Sequence, residues 1–278
     1  MESVRTNLEE WKIRKQQERQ DVAGAQKQAL EEVISSGQAL GSYLIGRGRL
    51  GSRLTSGNAA LVLQANPLAR AVMNYKQWQE FGRNVNKGAA GIPILTRQNG
   101  YFAVEKVFDV SQTYGNRPYP ALELPASPEQ MRQAVKALTS LCPVPVQAQL
   151  DLPQPALFAP EQGSVLYQAD ARDEDVLRFL PGVVLQAFTE QHTPGVSAAP
   201  LMQIYGVAVS LEVCGRFGIP PMEGYAEKLE AFKEHGRGQT AREMLEELRE
   251  LACAVGDNIS NSLSLQNSLA RPYDHEPR

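Results

Sequence analysis

Cysteine and histidine are scarce in this 278-residue chain. The three cysteines, Cys142, Cys214 and Cys253, are odd in number, far apart and in no Cys-x-x-Cys pair. That pattern argues against a disulfide framework and points to a reducing, cytoplasmic setting. The three histidines, His192, His235 and His275, include no pair four residues apart. A His-Glu-x-x-His zinc motif is therefore absent. No run of about eighteen apolar residues occurs, so no transmembrane helix is expected. The opening MESVRTNLEEWKIRKQQERQ is charged throughout and lacks the apolar core of a secretion signal. No internal repeat is visible.

Acidic residues are also scarce, but only locally. Between residues 44 and 106 the cations are Arg47, Arg49, Arg53, Arg70, Lys76, Arg83, Lys87, Arg97 and Lys106, against Glu80 and Glu105 alone. Residues 107–278 hold more acids than bases, and the chain as a whole carries a net charge of −3. A basic segment beside an acidic one suits an anionic partner for the first. Charge alone serves a plain solvated surface equally well.

Hydrophobic residues make up 42% of the chain, enough for a sizeable core, and the length favours two domains. Residues 2–40 read as a polar helix with an imperfect apolar stripe of Leu8, Trp11, Val22, Ala29, Leu30, Val33 and Ile34. Gly37, Gly41, Gly46, Gly48 and Gly51 are expected to break it up. A short apolar helix over 58–65 stops near Pro67, and a second helix covers 75–85. Strands at 92–96 and 101–110 are joined by a hairpin around Gln98-Asn99-Gly100. A proline-rich linker over 116–127 separates residues 1–115 from residues 128–270, and 271–278 form a tail. Ser127 is placed to cap a helix over 128–141. Residues 143–167 carry weak strand signals. An acidic helix start at Asp173 runs toward Gln191, with a boundary or kink near Pro181. Residues 200–217 form an apolar, buried helix ended by Gly218. Met244, Leu245, Leu248, Leu251, Ala252, Val255 and Ile259 line one face of a last long helix. The fold class is α+β: a helical N-terminal part with a small antiparallel sheet, and a mainly helical C-terminal part.

The stretch YKQWQEFGRNVNKGAAGIPIL, residues 75–95, concentrates the chemistry. Tyr75, Trp78 and Phe81 share a helix face. Such a stripe commonly packs into a core. The functional alternative needs an exposed ring for base stacking, worth about 1–3 kcal/mol per base, with cations for phosphates. Lys76 and Arg83 lie elsewhere around the helix. Lys87-Gly88 adds a turn whose amides can meet a phosphate oxygen.

The residues Asn58, Gln64, Pro67, Trp78, Gly82-Arg83, Lys87-Gly88, Ile92 with Ile94-Leu95, and Val107 to Thr113 occur in an ordered, dense pattern. Over roughly residues 30–115 this pattern resembles the N-terminal domain of the ArdC-type antirestriction proteins and their LtrC-like relatives on conjugative elements. The resemblance implies a single-stranded DNA-binding domain. With the basic bias, it nominates Arg53, Asn58, Gln64, Arg70, Lys76, Trp78, Arg83, Lys87 and Gly88 as nucleic-acid-binding residues. Leu54-Thr55 stands where the family usually has Tyr-Ser.

The family's C-terminal half looks like a zinc metallopeptidase. The segment FLPGVVLQAFT, residues 179–189, occupies the place of its motif helix, with Leu185, Gln186 and Thr189 at the three motif positions. Leucine binds no zinc, and a glutamine takes no proton from water. Val213-Cys214 and Phe217-Gly218 match a later helix, whose acidic positions fall at about Tyr205 and Val207. The expectation is a zincin-like scaffold with no metal, no cofactor and no catalysis. Cys214 is expected to be a buried apolar residue. His192 is expected at the surface, and Glu243, Glu246, Glu247 and Glu250 on a solvated face. The leading function is then a non-catalytic single-stranded DNA-binding protein of a mobile genetic element, an antirestriction or conjugation accessory. The alternative is an interaction scaffold whose degenerate peptidase-like part docks a host or element-encoded protein.

Overall fold

A computed structural model describes residues 2–51, 54–98, 100–119, 128–235 and 240–262. Helix α1 spans Glu2–Val33 and buries Val22, Ala29 and Leu30 beneath an otherwise polar surface. It stops short of residue 40. Ser36 begins a new helix, its hydroxyl accepting from the Ala39 amide at 3.2 Å, and α2 runs over Gly37–Leu50.

Here the expectation for the glycines fails. Gly37, Gly41, Gly46 and Gly48 lie inside α2 instead of breaking it. The reason is close approach of neighbouring helices. A Cβ on Gly37 would overlap the Ala226 carbonyl, and one on Gly48 the Glu212 carbonyl. Reciprocally, a Cβ on Gly215 would overlap the Ile45 carbonyl. The loss of helix propensity, about 1 kcal/mol per glycine, is offset by backbone contact that no larger residue permits.

Helix α3, Ser56–Ala65, is capped by Thr55 and lies wholly in the interior over residues 56–63. Strand β1, Val72–Asn74, leads into α4, Tyr75–Glu80, through a capping box between Asn74 and Gln77. Gly82, at φ +87°, ends that element earlier than expected. Strand β2 covers Asn84–Val85, β3 Ile92–Gln98, β4 Tyr101–Asp109 and β5 Thr113–Tyr114. Strands β1, β4 and β3 form an antiparallel sheet in that order, with Ile94 opposite Glu105 and Arg97 opposite Phe102. Strands β2 and β5 pair separately. Asn99 of the expected hairpin turn, the linker residues 120–127 with the Ser127 cap, and the tail lie outside the described residues.

Helix α5, Pro128–Leu141, precedes a second sheet of β6, Val146–Gln149, β7, Ala156–Ala159, and β8, Ser164–Gln168. Strand β8 is central, parallel to β6 and antiparallel to β7. The helical signal from Asp173 divides ahead of Pro181 into α6, Asp173–Leu177, and α7, Leu180–His192. Helix α8, Pro200–Phe217, ends at Gly218 in the left-handed region. The short α9, Tyr225–Leu229, and α10, Phe232–His235, lead to α11, Ala241–Ser262. The chain is mixed α+β. Among the described residues no helix is long and apolar enough to cross a membrane.

One apolar cluster joins Leu40, Leu44 and Val62 to Leu138, Leu180, Leu211, Phe217 and Leu248. Helix α2 packs along α8, and a buried ion pair marks the contact. Arg47 Nε lies 3.3 Å from Glu212, and Arg47 Nη1 donates to the Leu54 carbonyl at 3.1 Å. Burial pushes the Glu212 carboxyl up to about 7, against the opposing pull of Arg47. A smaller cluster of Ala71, Met73 and Trp78 packs with Phe81, Val85 and Phe108 beside the first sheet.

Candidate nucleic-acid interface

The nominated residues divide into builders of the fold and residues facing water. Trp78 belongs to the first class. It is fully buried, its Nε1–H donates to the Phe108 carbonyl at 2.8 Å, and its ring meets Phe81 and Tyr119 edge-on, centroids 6.0 Å apart. It offers no face to a base. The helix stripe of Tyr75, Trp78 and Phe81 points Trp78 inward because α4 lies across the β1–β4 end of the sheet, while Tyr75 stays 52% exposed.

Asn58 is also structural. Its side chain acts as a surrogate strand on the open edge of β3. Asn58 Nδ2 donates to the Leu95 carbonyl at 2.8 Å, and its Oδ1 accepts from the Leu95 amide at 3.0 Å. Gln26 of α1 donates to the same oxygen at 2.6 Å, and Arg242 holds Gln26 in turn at 2.9 Å. An edge strand's unpaired backbone groups are thus satisfied. Arg83 clamps the loop after β5. Its guanidinium donates to Thr113 Oγ1 at 2.8 Å and to the carbonyls of Thr113, Gly115 and Arg117 at 3.0, 3.3 and 2.8 Å. Arg47, counted with the basic segment, is buried.

The others among the described residues are exposed but scattered along the chain. Gln64 donates to Glu32 at 3.0 Å. Lys76 stands 3.6 Å from Glu80, a weak surface pair. The Arg70 amide is anchored on Asp109 at 2.9 Å and its side chain is exposed. Lys87 and Gly88 form an open turn, with Gly88 at φ +82°. Arg53 lies outside the described residues.

A stronger arrangement sits on the β3–β4 hairpin, where the sequence reading placed no site. Tyr101 is 76% and Phe102 62% exposed. Arg97 pairs across from Phe102, and Lys106 lies on the same face of β4 two strand repeats along. Both cations are exposed. Helix α1 runs beside the hairpin, and Arg19 Nη1 donates to the Phe102 carbonyl at 3.3 Å. The Glu18 carboxyl is held below the usual range by Lys15, which donates to it at 2.7 Å, with Arg14 and Lys106 adding to the effect. Arg97 and Lys106 thus share the face of the exposed Phe102 ring, Arg19 holds its carbonyl, and the exposed Tyr101 ring leaves the opposite face of the same strand. One signal in the sequence pointed here. Consecutive strand residues face opposite ways, so of two adjacent aromatics at a strand's start one must leave the core.

The second half has a cleft of about 470 Å³ between α7 and α8, lined by Gln186, Gln203, Gly206, Val207, Met222 and Lys228 among others. Leu185 is buried in the core, and Gln186 Nε2 donates to Gln203 at 3.3 Å. Thr189 Oγ1 donates to the Leu185 carbonyl at 2.9 Å. Tyr205 is buried, its hydroxyl donating to Glu247 at 2.9 Å. An isobutyl group, amides and a helix-bonded hydroxyl do not fit a divalent metal's donor set. Among the described residues no three of His, Cys, Asp and Glu stand together as ligands. Cys214 is buried, its thiol pushed up to about 12 by desolvation, which leaves it inert as a nucleophile. His192 is exposed and bonds the Phe188 carbonyl at 2.8 Å.

No family model matches the chain, and no curated protein does. Two solved structures of the antirestriction protein ArdC from plasmid R388 are similar to it at 14% identity, covering 86% of this chain and 98% of theirs. The Mn(II)-bound form gives a TM-score of 0.48 and the metal-free form 0.49.

Proposed function

We propose that this chain is a non-catalytic, single-stranded nucleic-acid-binding protein acting in the cytoplasm on behalf of a mobile genetic element, in antirestriction or conjugation. The observation that carries the binding role is the hairpin surface. Two rings, Tyr101 and Phe102, are exposed on the hairpin, with Arg97 and Lys106 on the face of Phe102 and Arg19 bonded to its carbonyl. Rings stack on bases of any sequence, and cations displace counterions from phosphates. The mobile-element setting rests on the residue pattern from Asn58 to Thr113. The non-catalytic reading rests on the amide and aliphatic lining of the α7–α8 cleft.

The test is the affinity for a fluorescent dT12 strand at 50 and 200 mM salt. Binding at low salt that weakens steeply at the higher concentration supports the proposal. Charge reversal at Arg97 and Lys106 together must reduce the salt slope by about two, since each cation contributes about one counterion. Absence of binding at 50 mM salt, or binding indifferent to salt, rejects it. The α7–α8 cleft favours a second reading, a docking surface for a protein partner. Capture of one defined partner that survives nuclease treatment, together with no oligonucleotide binding, would select it.

A further inference from the structure

Behind the exposed rings lies a cleft of about 510 Å³, within the roughly 300–1,000 Å³ range of small-molecule sites. One wall is α1, where Gln16, Arg19, Gln20 and Ala23 recur at the three- and four-residue spacing of a single helix face. The other wall is the hairpin, with Tyr101 and Phe102. Arg242 closes the end, fixed by its bond to Gln26. No carboxylate lines the cleft, so its formal charge is positive. Ala23 has only a methyl group, which leaves room between the walls. Gln16 and Gln20 are exposed, and neither carboxamide is engaged within the described residues.

We infer that this cleft takes one unpaired nucleotide and reads the hydrogen-bonding edge of its base, and so separates single strands from duplex. The inference rests on the nucleic-acid-binding reading of the hairpin and deepens it. A carboxamide carries one acceptor and two donor hydrogens, which match the adjacent donor and acceptor of a thymine edge, N3–H and O4. In a duplex that edge is occupied by the partner base. Phe102 supplies the ring face for the same base, Tyr101 borders the cleft, and Arg19 and Arg242 flank it as phosphate partners. Exposed rings alone do not discriminate between edges, because stacking uses the base face. The carboxamides on α1 supply what stacking lacks.

The test compares dT12 with a dT12 strand built from N3-methylthymidine, which keeps the ring face and blocks the edge. The expected result is about tenfold weaker binding of the methylated strand by the unaltered protein, the size of one lost base contact. In the Gln16→Ala, Gln20→Ala double variant the two strands must bind alike. A second variant, Ala23→Trp, fills the cleft and must lower dT12 affinity to the methylated value. Equal binding of both strands by the unaltered protein overturns the edge-reading cleft while leaving the hairpin reading in place. Binding of neither strand at low salt overturns both.

Discussion

Replacing Trp78 and Phe102 separately by alanine sets the residue that the linear pattern nominated against the one that the fold exposes. Trp78 has no exposed surface, donates through Nε1 to the Phe108 carbonyl, and packs edge-on against two rings. Truncating such a buried aromatic costs about 3–5 kcal/mol, the lost indole hydrogen bond included. In a chain of this size the melting temperature then falls by roughly 10 °C or more. Phe102 is 62% exposed and contributes little to the core. Its truncation alters stability by no more than about 0.5 kcal/mol. If its ring stacks on a base, the loss of about 1–3 kcal/mol per base lowers affinity roughly 5- to 150-fold. Thermal melting by circular dichroism and fluorescence anisotropy with dT12, both below the lowered transition, separate the two effects. Phe102→Ala should bind poorly and melt normally. Trp78→Ala should melt early and bind normally while folded. The reverse outcome, a folded Trp78→Ala that cannot bind beside a Phe102→Ala that can, would refute the assignment of the interface to the hairpin.

Three further outcomes follow from the packing. Glu212 is raised from 4.5 to about 7 in the folded state, so the folded protein keeps a proton that the unfolded chain has lost. Stability therefore falls as pH rises through that window, by about 3 kcal/mol at full effect, and Glu212→Gln removes this component. Urea unfolding at pH 5 and pH 8 checks it: parallel changes in the two proteins would contradict the desolvation of the Glu212 carboxyl among Arg47, Arg249, Arg216 and Glu246. Asn58→Ala opens the edge of β3 and strips partners from Leu95 and Gln26, at about 2–3 kcal/mol, read by thermal melting. Its affinity for dT12 while folded should fall less than that of Phe102→Ala, which tests the structural role against a binding one. Arg83→Lys cannot reproduce a planar guanidinium that bridges Thr113, Gly115 and Arg117. It should cost about 1–3 kcal/mol and speed amide exchange across residues 113–117, with dT12 affinity moved less than by Phe102→Ala.

Much of the architecture was legible in one dimension because local rules carried it. The α3 helix, the β3–β4 hairpin, the Gly218 stop and the long α11 helix follow from apolar spacing, a turn glycine and end signals that act within a few residues. The basic bias of residues 44–106 was equally plain. What linear reading could not resolve is which side of each element a distant element covers. The α2 glycines look like breakers until α8 and α9 are seen pressed against their bare backbone. Asn58 and Arg83 look like ligand residues until an unpaired strand edge and a loop are found to need them. Trp78 and Phe102 are both rings among cations, and only the placement of α4 over one end of the sheet and α1 along the other decides that the first is sealed and the second meets water. Burial is set by contacts between residues far apart in the chain, whereas periodicity records only neighbours. The sequence by itself therefore determined the elements that local signals carry and the local excess of cations, and the tertiary structure decided whether the α2 glycines break a helix and which side chains can touch a ligand.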